Sequence, residues 1–287
     1  MEDALKFYEK ARKISDSILP FAKKLVVENA HILDIAEKIE EKIEERGGKP
    51  AFPVNISINN IAAHYTPSSD DPTTLKQGDL VKIDYGVHVE GYIWDRAFSM
   101  IVGDGKNVLI EAAEKSVERA LKAIRPGIMV KEISEVIEET LEEYEVVGVR
   151  NLCGHGLERY VEHAPPTIPC VRNDLRDVLE EGKVVAIEVF TTNGSGYVKE
   201  ADVALIYKFV RNVPVRYVEA RRVLKLAREV FQGLPFAKRW LEKYVRGVKL
   251  ELALSELVEK GAIRAYPVLR EIKGALVAQH EESKIVK

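Results

Sequence analysis

Hydrophobic and polar residues follow the same pattern twice along this chain. Isoleucine or leucine recurs every fourth residue in two Glu-rich segments, residues 34–45 and 132–143. This spacing predicts two amphipathic helices, each with one buried stripe. The stripe residues are Ile35, Ile39, Ile43, Ile133, Ile137 and Leu141.

Each predicted helix is followed by a histidine and then by an apolar strand that carries one acid. His64 follows the first helix and His163 the second, at nearly the same offset. The strand that ends in Asp84 reads Gly-Asp-Leu-Val-Lys-Ile-Asp, and the strand that ends in Glu188 reads Gly-Lys-Val-Val-Ala-Ile-Glu. Because three elements recur in the same order, we interpret the chain as a duplicated α+β unit. Its halves would share one core and bring the two acids together near a pseudo-twofold axis.

Two apolar runs on either side of the Glu-Gly pair at residues 90–91 predict an antiparallel hairpin. In that register Asp95 lies opposite Gly86, and Asp84 lies opposite Ala97. Both carboxylates then occupy one face as diagonal neighbours, roughly 7 to 8 Å apart, and we expect Gly86 to leave space between them. The alternative is an ordinary hairpin with both acids on its solvated face, because a one-residue shift in register moves every side chain to the opposite face of the sheet.

The composition is typical of a large globular protein. The chain has 287 residues, a hydrophobic content of 46% and a net charge of −3, and it can bury a core as one domain or two fused halves. No apolar run approaches the roughly 20 residues that cross a bilayer, and we expect a cytoplasmic protein without membrane association. Cys153 and Cys170 are expected to be reduced and structural.

Positive charge is concentrated between Lys208 and Leu250, where twelve Lys and Arg stand against three Glu. The same region reads as helices appended to the second half. Two interpretations of the charge stay open, a solvated helical face and a weak contact with RNA.

Four carboxylates and one imidazole are the candidate metal ligands. Glu188 lies inside an apolar strand, where an unpaired carboxylate is costly unless it is paired or bound to metal. Glu281 lies in a similar run, although Glu282 competes with it for this role. A set this rich in charge favours a pair of divalent ions, such as Mn, Fe, Co or Zn, over a single ion. The candidates are Asp84, Asp95, His155, Glu188 and Glu281.

Several motifs resemble those of type II methionine aminopeptidases. The metal motifs are Lys82-Ile-Asp-Tyr-Gly-Val-His88 with Asp95, Asn151-Leu-Cys-Gly-His155, Ala186-Ile-Glu188 and Ala278-Gln-His-Glu281, and residues 50–57, 63–67 and 234–240 also match. The resemblance covers essentially the whole chain and implies the pita-bread fold. It further implies a single catalytic domain over residues 1–287, with 1–103 as the first half, 104–209 and 262–287 as the second half, and 210–261 as a helical insertion.

The resemblance also implies how the ligands are used. Asp84 would bind one ion, His155 and Glu188 would complete the other, and Asp95 and Glu281 would bridge both. A hydroxide between the ions would then attack the peptide carbonyl.

Substrate contacts are implied in the same way. His64 and His163 would face the scissile amide, and Glu188 would carry a proton. Phe52 and Pro53 would contribute to an apolar pocket for the N-terminal methionine of nascent polypeptides, which the family releases when the next residue is small.

Three residues depart from the family pattern. Val189 replaces a proline, His280 replaces an aromatic residue and Glu282 replaces a histidine. We expect a monomer with a weak ribosome contact through Lys208 to Leu250. Two rival interpretations are a pita-bread peptidase that cleaves X-Pro bonds and a non-catalytic pita-bread protein that binds RNA or ribosomes.

Overall fold

A computed structural model describes residues 2–287, with side chains described from Ala4 onwards. The first half of the chain contains two helices and five strands. They are α1 (Glu2–Leu25), α2 (Ile32–Glu45), β1 (Lys49–Pro50), β2 (Asn55–Ile58), β3 (Ile61–Ala63), β4 (Leu80–Val89) and β5 (Tyr92–Ile101).

The second half repeats the order of helices and strands. Its elements are α3 (Val108–Ala123), α4 (Val130–Glu143), β6 (Val147–Gly148), β7 (Cys153–Glu158), β8 (Val161–Pro169), β9 (Val184–Thr192) and β10 (Lys199–Phe209). The remaining elements are α5 (Val218–Glu229), β11 (Phe236–Ala237), α6 (Lys238–Leu241), α7 (Val248–Glu259), β12 (Ile263–Arg270) and β13 (Val277–Ile285).

The two predicted amphipathic helices are confirmed as α2 and α4. All six residues of the predicted stripes are buried. Asp84 and Glu188 are each the fifth residue of their strand, β4 and β9. The two buried stripes therefore mark α2 and α4 as equivalent helices of the duplicated fold. Asp84 and Glu188 are equivalent in the same way, because they occupy the same position of their strands.

The nine-stranded sheet joins both halves. Its main order is β1-β4-β5-β13-β9-β7-β8, with β2 also paired to β4 and β6 to β9. The acid-bearing strands β4 and β9 flank the central pair β5 and β13 on either side, as expected of a pita-bread fold. Helices α1 and α3 pack on one face of the sheet, α1 against β4 and β5 and α3 against β9 and β13.

A second sheet of four strands covers part of the other face. Its order is β11-β10-β12-β3, so β10 leaves the large sheet instead of pairing with β9. Residues 210–261 contain α5, α6 and α7, whose apolar faces form a separate core with β10 and β12. Glu40 of α2 attaches this helical region to the first half, because its carboxylate accepts hydrogen bonds from Arg239 and from Trp240 Nε1.

The predicted hairpin register is confirmed. Asp84 pairs with Ala97 and Gly86 pairs with Asp95, and Val89 and Tyr92 close the turn. The space at Gly86, however, does not separate the two acids. A Cβ there would lie 2.4 Å from Phe52 Cε1, so the missing side chain makes room for the Phe52 ring.

None of the helices in the described part of the chain is long and apolar enough to cross a lipid bilayer. Cys153 and Cys170 are both free thiols.

Candidate metal centre

Strand pairing places three carboxylates in one row across the large sheet. Asp84 on β4 pairs with Ala97 on β5, which pairs with Glu281 on β13. Glu281 in turn pairs with Glu188 on β9. Residues that pair across neighbouring strands point to the same face, so these three acids converge on the face opposite α1 and α3.

The other two candidates form a parallel row one step along the strands. Asp95 donates its backbone N–H to Ser283 Oγ at 2.8 Å, Ser283 pairs with Ala186, and Ala186 pairs with His155. The small residues Ser283 and Ala186 lie between the donors of this row. The centre of this face is therefore open to groups that the five donors could hold.

The ligand atoms form two groups that share Glu281. One group is Asp95, His155 and Glu281, the other is Asp84, Glu188 and Glu281, and the ligand atoms within each lie within 4.8 Å of one another. His155 Nε2 lies 4.0 Å from Asp95 Oδ2 and 3.9 Å from Glu281 Oε1. Glu188 lies in the group with Asp84 and not in the group with His155, and its assignment to the same ion as His155 stays a prediction.

Burial and mutual repulsion disfavour the charged form of the carboxylates in this cluster. Burial raises the pKa of Asp84 to about 7. Burial first, and then the neighbouring carboxylates, raise the pKa values of Asp95, Glu188 and Glu281 well above their ordinary values. Asp84 Oδ1, Asp95 Oδ1 and Glu281 Oε1 are buried without a hydrogen-bond partner. Such oxygens are costly unless a cation meets them, so the donor set fits divalent metal ions.

His155 is prepared to act as a neutral ligand. Burial lowers its pKa to about 3, with a further contribution from His163. Its Nδ1 lies 3.2 Å from the Gly156 carbonyl oxygen, and an N–H donated there leaves the Nε2 lone pair for a cation.

Gln279 connects the two outer acids and was not singled out from the sequence. Its Nε2 donates to Asp84 Oδ2 at 3.2 Å and to Glu188 Oε1 at 2.8 Å. The side chain is buried, and it lies one row from the acids on β13. A polar residue two positions before Glu281 in an apolar strand was the signal that could have identified it.

Glu282 does not compete with Glu281 for the cluster. Neighbouring residues of a strand point to opposite faces, and Glu282 faces α1. Its carboxylate accepts from Trp94 Nε1 at 2.8 Å and pairs with Arg96, which also pairs with Asp16 at 2.7 Å.

The other two departures from the family pattern lie against each other. His280 pairs with Val189 across β13 and β9, on the face away from the cluster. Burial lowers the pKa of His280 to about 4, and its Nδ1 lies 4.0 Å from Glu114 Oε1. Neither residue therefore belongs to the donor set.

The cluster opens into a cavity of about 740 Å³ between the two sheets. Phe52 lines this cavity, but Pro53 does not. Pro53 is buried, and its carbonyl accepts from Asn55 Nδ2 at 2.9 Å. Its observed contribution is to the chain path beside Phe52, which corrects the expectation that it forms part of the pocket wall.

His64 and His163 both line the cavity. His64 has a left-handed backbone with φ 62°, unusual for a residue other than glycine. Its Nδ1 lies 3.1 Å from the Pro267 carbonyl oxygen. The His163 ring lies 4.4 Å from the His155 ring. Its side chain is exposed towards the cavity, and the reduced solvation there lowers the pKa of His163 to about 4. Both imidazoles can thus contact a substrate as neutral groups.

Polar residues that sequence reasoning missed also lie near the donors. Glu162, Lys208 and Tyr266 line the cavity. Lys82 is buried two residues before Asp84, and it donates to the Val277 carbonyl at 2.7 Å. Burial lowers the pKa of Lys82 to about 7. A lysine inside an apolar strand was as strong a signal as the aspartate, whereas the cavity residues come from β8, β10 and β12, whose positions depend on the tertiary fold.

Comparison with known proteins agrees with this geometry. The chain matches metallopeptidase family M24 over residues 6–213. It therefore belongs to that family of metallopeptidases, which implies divalent metal ions.

Among its relatives, the chain is 46% identical over 286 residues to a protein named methionine aminopeptidase from Thermococcus onnurineus, covering 99% of this chain and 96% of that one. Two solved structures share the fold. A thermophilic Arx1 aligns with TM-score 0.85 at 21% identity, over 99% of this chain and 88% of that one. A methionine aminopeptidase from Thermotoga maritima aligns with TM-score 0.71 at 21% identity, over 100% of this chain and 93% of that one.

Proposed function

We propose that this chain is a methionine aminopeptidase that removes the N-terminal methionine from peptides whose second residue is small. The observation that carries the proposal is the cluster of four carboxylates and one neutral imidazole in the wall of a peptide-sized cavity. The name and near full-length similarity of the Thermococcus onnurineus relative support the same substrate.

Two divalent ions, Co, Mn, Fe or Zn, would be held by the five donors. Glu281 belongs to both donor groups, which supports a bridging role. Asp95 would be the second bridge, with Asp84, His155 and Glu188 as the remaining ligands. When bound, such ions lower the pKa of water and polarise the carbonyl of the scissile bond.

The side chains of the cavity would position the peptide and move its protons. His64 and His163 would donate or accept hydrogen bonds at the scissile amide. Glu188, oriented by Gln279, would accept a proton and pass it to the nitrogen of the leaving peptide. Phe52 would contact the apolar methionine side chain, since its ring fills the space beside Gly86.

A combined metal and peptide assay tests this function. Protein purified without added salts should contain transition metal, release methionine from Met-Ala-Ser and lose activity on chelation. Asp95→Ala should lose both metal and activity, while Asp104→Ala, an exposed acid after β5, should keep both. Normal cleavage by Asp95→Ala would show that the proposed metal centre does not catalyse the reaction.

The two rivals predict different results. Preferential cleavage of Ala-Pro peptides would identify an X-Pro peptidase with the same donors. A non-catalytic protein would cleave neither peptide with any of the four metals. The complete donor set supports a catalytic role, because buried carboxylates without a ligand destabilise a fold.

We further infer that the enzyme acts as a cytoplasmic monomer, with a weak ribosome contact through Lys208 to Leu250. Two of the basic residues in this segment are used inside the protein, since Lys208 lines the cavity and Arg239 pairs with buried Glu40. Arg221 and Arg222 lie on α5 and are exposed. Ribosome cosedimentation that does not change on charge reversal of both residues would exclude this contact.

A further inference from the structure

Glu162 is a buried acid in the cavity to which the proposed mechanism gives no role. It lies on β8, directly before His163, and only 8% of its surface is exposed. It lines the cavity, and its Oε2 has no hydrogen-bond partner. A buried carboxylate oxygen without a partner is unfavourable unless a ligand meets it.

Glu162 lies in the same cavity as the metal donors, directly before His163, whose ring lies 4.4 Å from the ring of the donor His155. Its negative charge also contributes to the raised pKa values of the four carboxylate donors. Within the described chain, however, Glu162 belongs to neither group of ligand atoms. It therefore lies next to the donors without being one of them.

No side chain of the described residues neutralises this carboxylate. Lys208 faces it and lowers its pKa, but the two side chains do not form an ion pair. Burial is the larger effect and raises the pKa of Glu162 to about 7. After burial, the charge of Glu162 also contributes to the raised pKa of Tyr266 on the second sheet. The cavity thus contains a carboxylate that forms no ion pair with a side chain of the described residues, although Lys208 lies near enough to lower its pKa.

Register shifts explain how Glu162 and His163 both reach the cavity. Pairing between β7 and β8 shifts on both sides of Gly156, and such bulges change the direction of side chains. Two consecutive residues that would otherwise point to opposite faces therefore both line the cavity.

We propose that Glu162 binds a protonated amine carried by the first residue of the substrate. This inference rests on the proposed aminopeptidase function. Every such substrate has an α-amine two bonds from the carbonyl carbon that reacts, and Glu162 lies beside both the metal donors and His163. A protonated amine on the first side chain offers the same chemistry, and the experiment separates the two sources.

The test compares amide ligands that differ only in the amine. Calorimetry on protein as purified, at about pH 8 so that Glu162 is ionised, uses methioninamide and 4-(methylthio)butanamide, which lacks the α-amine. A second pair, lysinamide and norleucinamide, differs in the side-chain amine. The variant Glu162→Gln keeps the shape and removes the charge, and Glu162→Asp keeps the charge. The control is Glu158→Gln, which changes an exposed acid at the end of β7.

If the α-amine is the ligand, Glu162→Gln should weaken methioninamide about ten-fold or more and leave 4-(methylthio)butanamide unchanged. If the side-chain amine is the ligand, the variant should instead remove a preference for lysinamide over norleucinamide. Glu162→Asp should keep part of the preference, and Glu158→Gln should keep all of it.

Equal effects of Glu162→Gln on both members of each pair, or no effect on any, would overturn the inference. The proposed function would survive that result if the parent protein still releases methionine from Met-Ala-Ser. If the parent protein does not release methionine from Met-Ala-Ser, the proposed aminopeptidase function is itself refuted.

Discussion

Replacing Gln279 by leucine should weaken metal binding while the fold is kept. The Gln279 amide donates to one oxygen each of Asp84 and Glu188, at 3.2 and 2.8 Å. These acids are the two members of the second donor group besides Glu281. Leucine fills a similar volume, so the variant removes the two hydrogen bonds without a large cavity.

The size of the effect follows from the kind of hydrogen bond lost. A hydrogen bond to a charged group contributes about 1.5 to 3 kcal/mol. If one such contribution to ligand positioning is lost, the metal dissociation constant should rise about 10- to 150-fold. Loss of a partner that orients a metal ligand usually costs a similar factor.

Competition with a chromogenic chelator measures this change for Mn²⁺ or Co²⁺. The matched control is Gln77→Leu, because Gln77 is exposed and lies outside the cavity. Thermal unfolding of the metal-free proteins checks that both variants are folded. A dissociation constant for Gln279→Leu within about two-fold of the parent would refute the idea that this amide positions the acids.

Four other experiments test separate parts of the structure. Glu281→Gln should remove metal, whereas Glu282→Gln should keep it. Glu282→Gln should instead lower the free energy of unfolding in urea by about 1 to 3 kcal/mol, because buried Arg96 loses an ion pair. Equal metal loss in both variants would contradict the conclusion that only Glu281 points towards the donors. His163→Ala should lower kcat with unchanged metal content, and an unchanged kcat would exclude its contact with the reacting amide. Gly86→Ala should destabilise the protein by about 1 to 3 kcal/mol and raise KM, since the new Cβ would displace the Phe52 ring; an unchanged KM would show that this ring does not contact substrate. Chelated protein should be less stable in urea at pH 8 than at pH 5. The pKa of Asp84 is raised to about 7 in the folded protein, so the free energy of unfolding falls as pH rises from the pKa of the unfolded state towards that value. Added Mn²⁺ should reverse the order, and a chelated protein that gains stability with pH would contradict this explanation.

Local patterns in the sequence were sufficient for the elements that position the acids. The isoleucine stripes of α2 and α4 follow from helical periodicity alone, and the register of the hairpin follows from a two-residue turn. The duplicated order of these elements then predicted that Asp84 and Glu188 converge.

Features that depend on distant parts of the chain were not accessible in this way. The role predicted for Gly86 was wrong, because the space beside it is filled by the ring of Phe52, which lies outside the hairpin. Glu281 and Glu282 could not be separated until the pairing of β13 with β5 and β9 fixed which residue faces the donors. Glu162 reaches the cavity only because of register shifts in β7 and β8.

The position of β13 has a consequence for synthesis of the protein. This strand is the last element in sequence order, yet it lies at the middle of the large sheet and pairs with a strand from each half. A growing polypeptide on the ribosome can form α1, α2 and the β4–β5 hairpin early, but the two halves cannot join until residues 277–285 have emerged. Partly synthesised chains would therefore expose the unpaired edges of β5 and β9, and chaperones that bind such edges should be needed most until residues 277–285 have emerged.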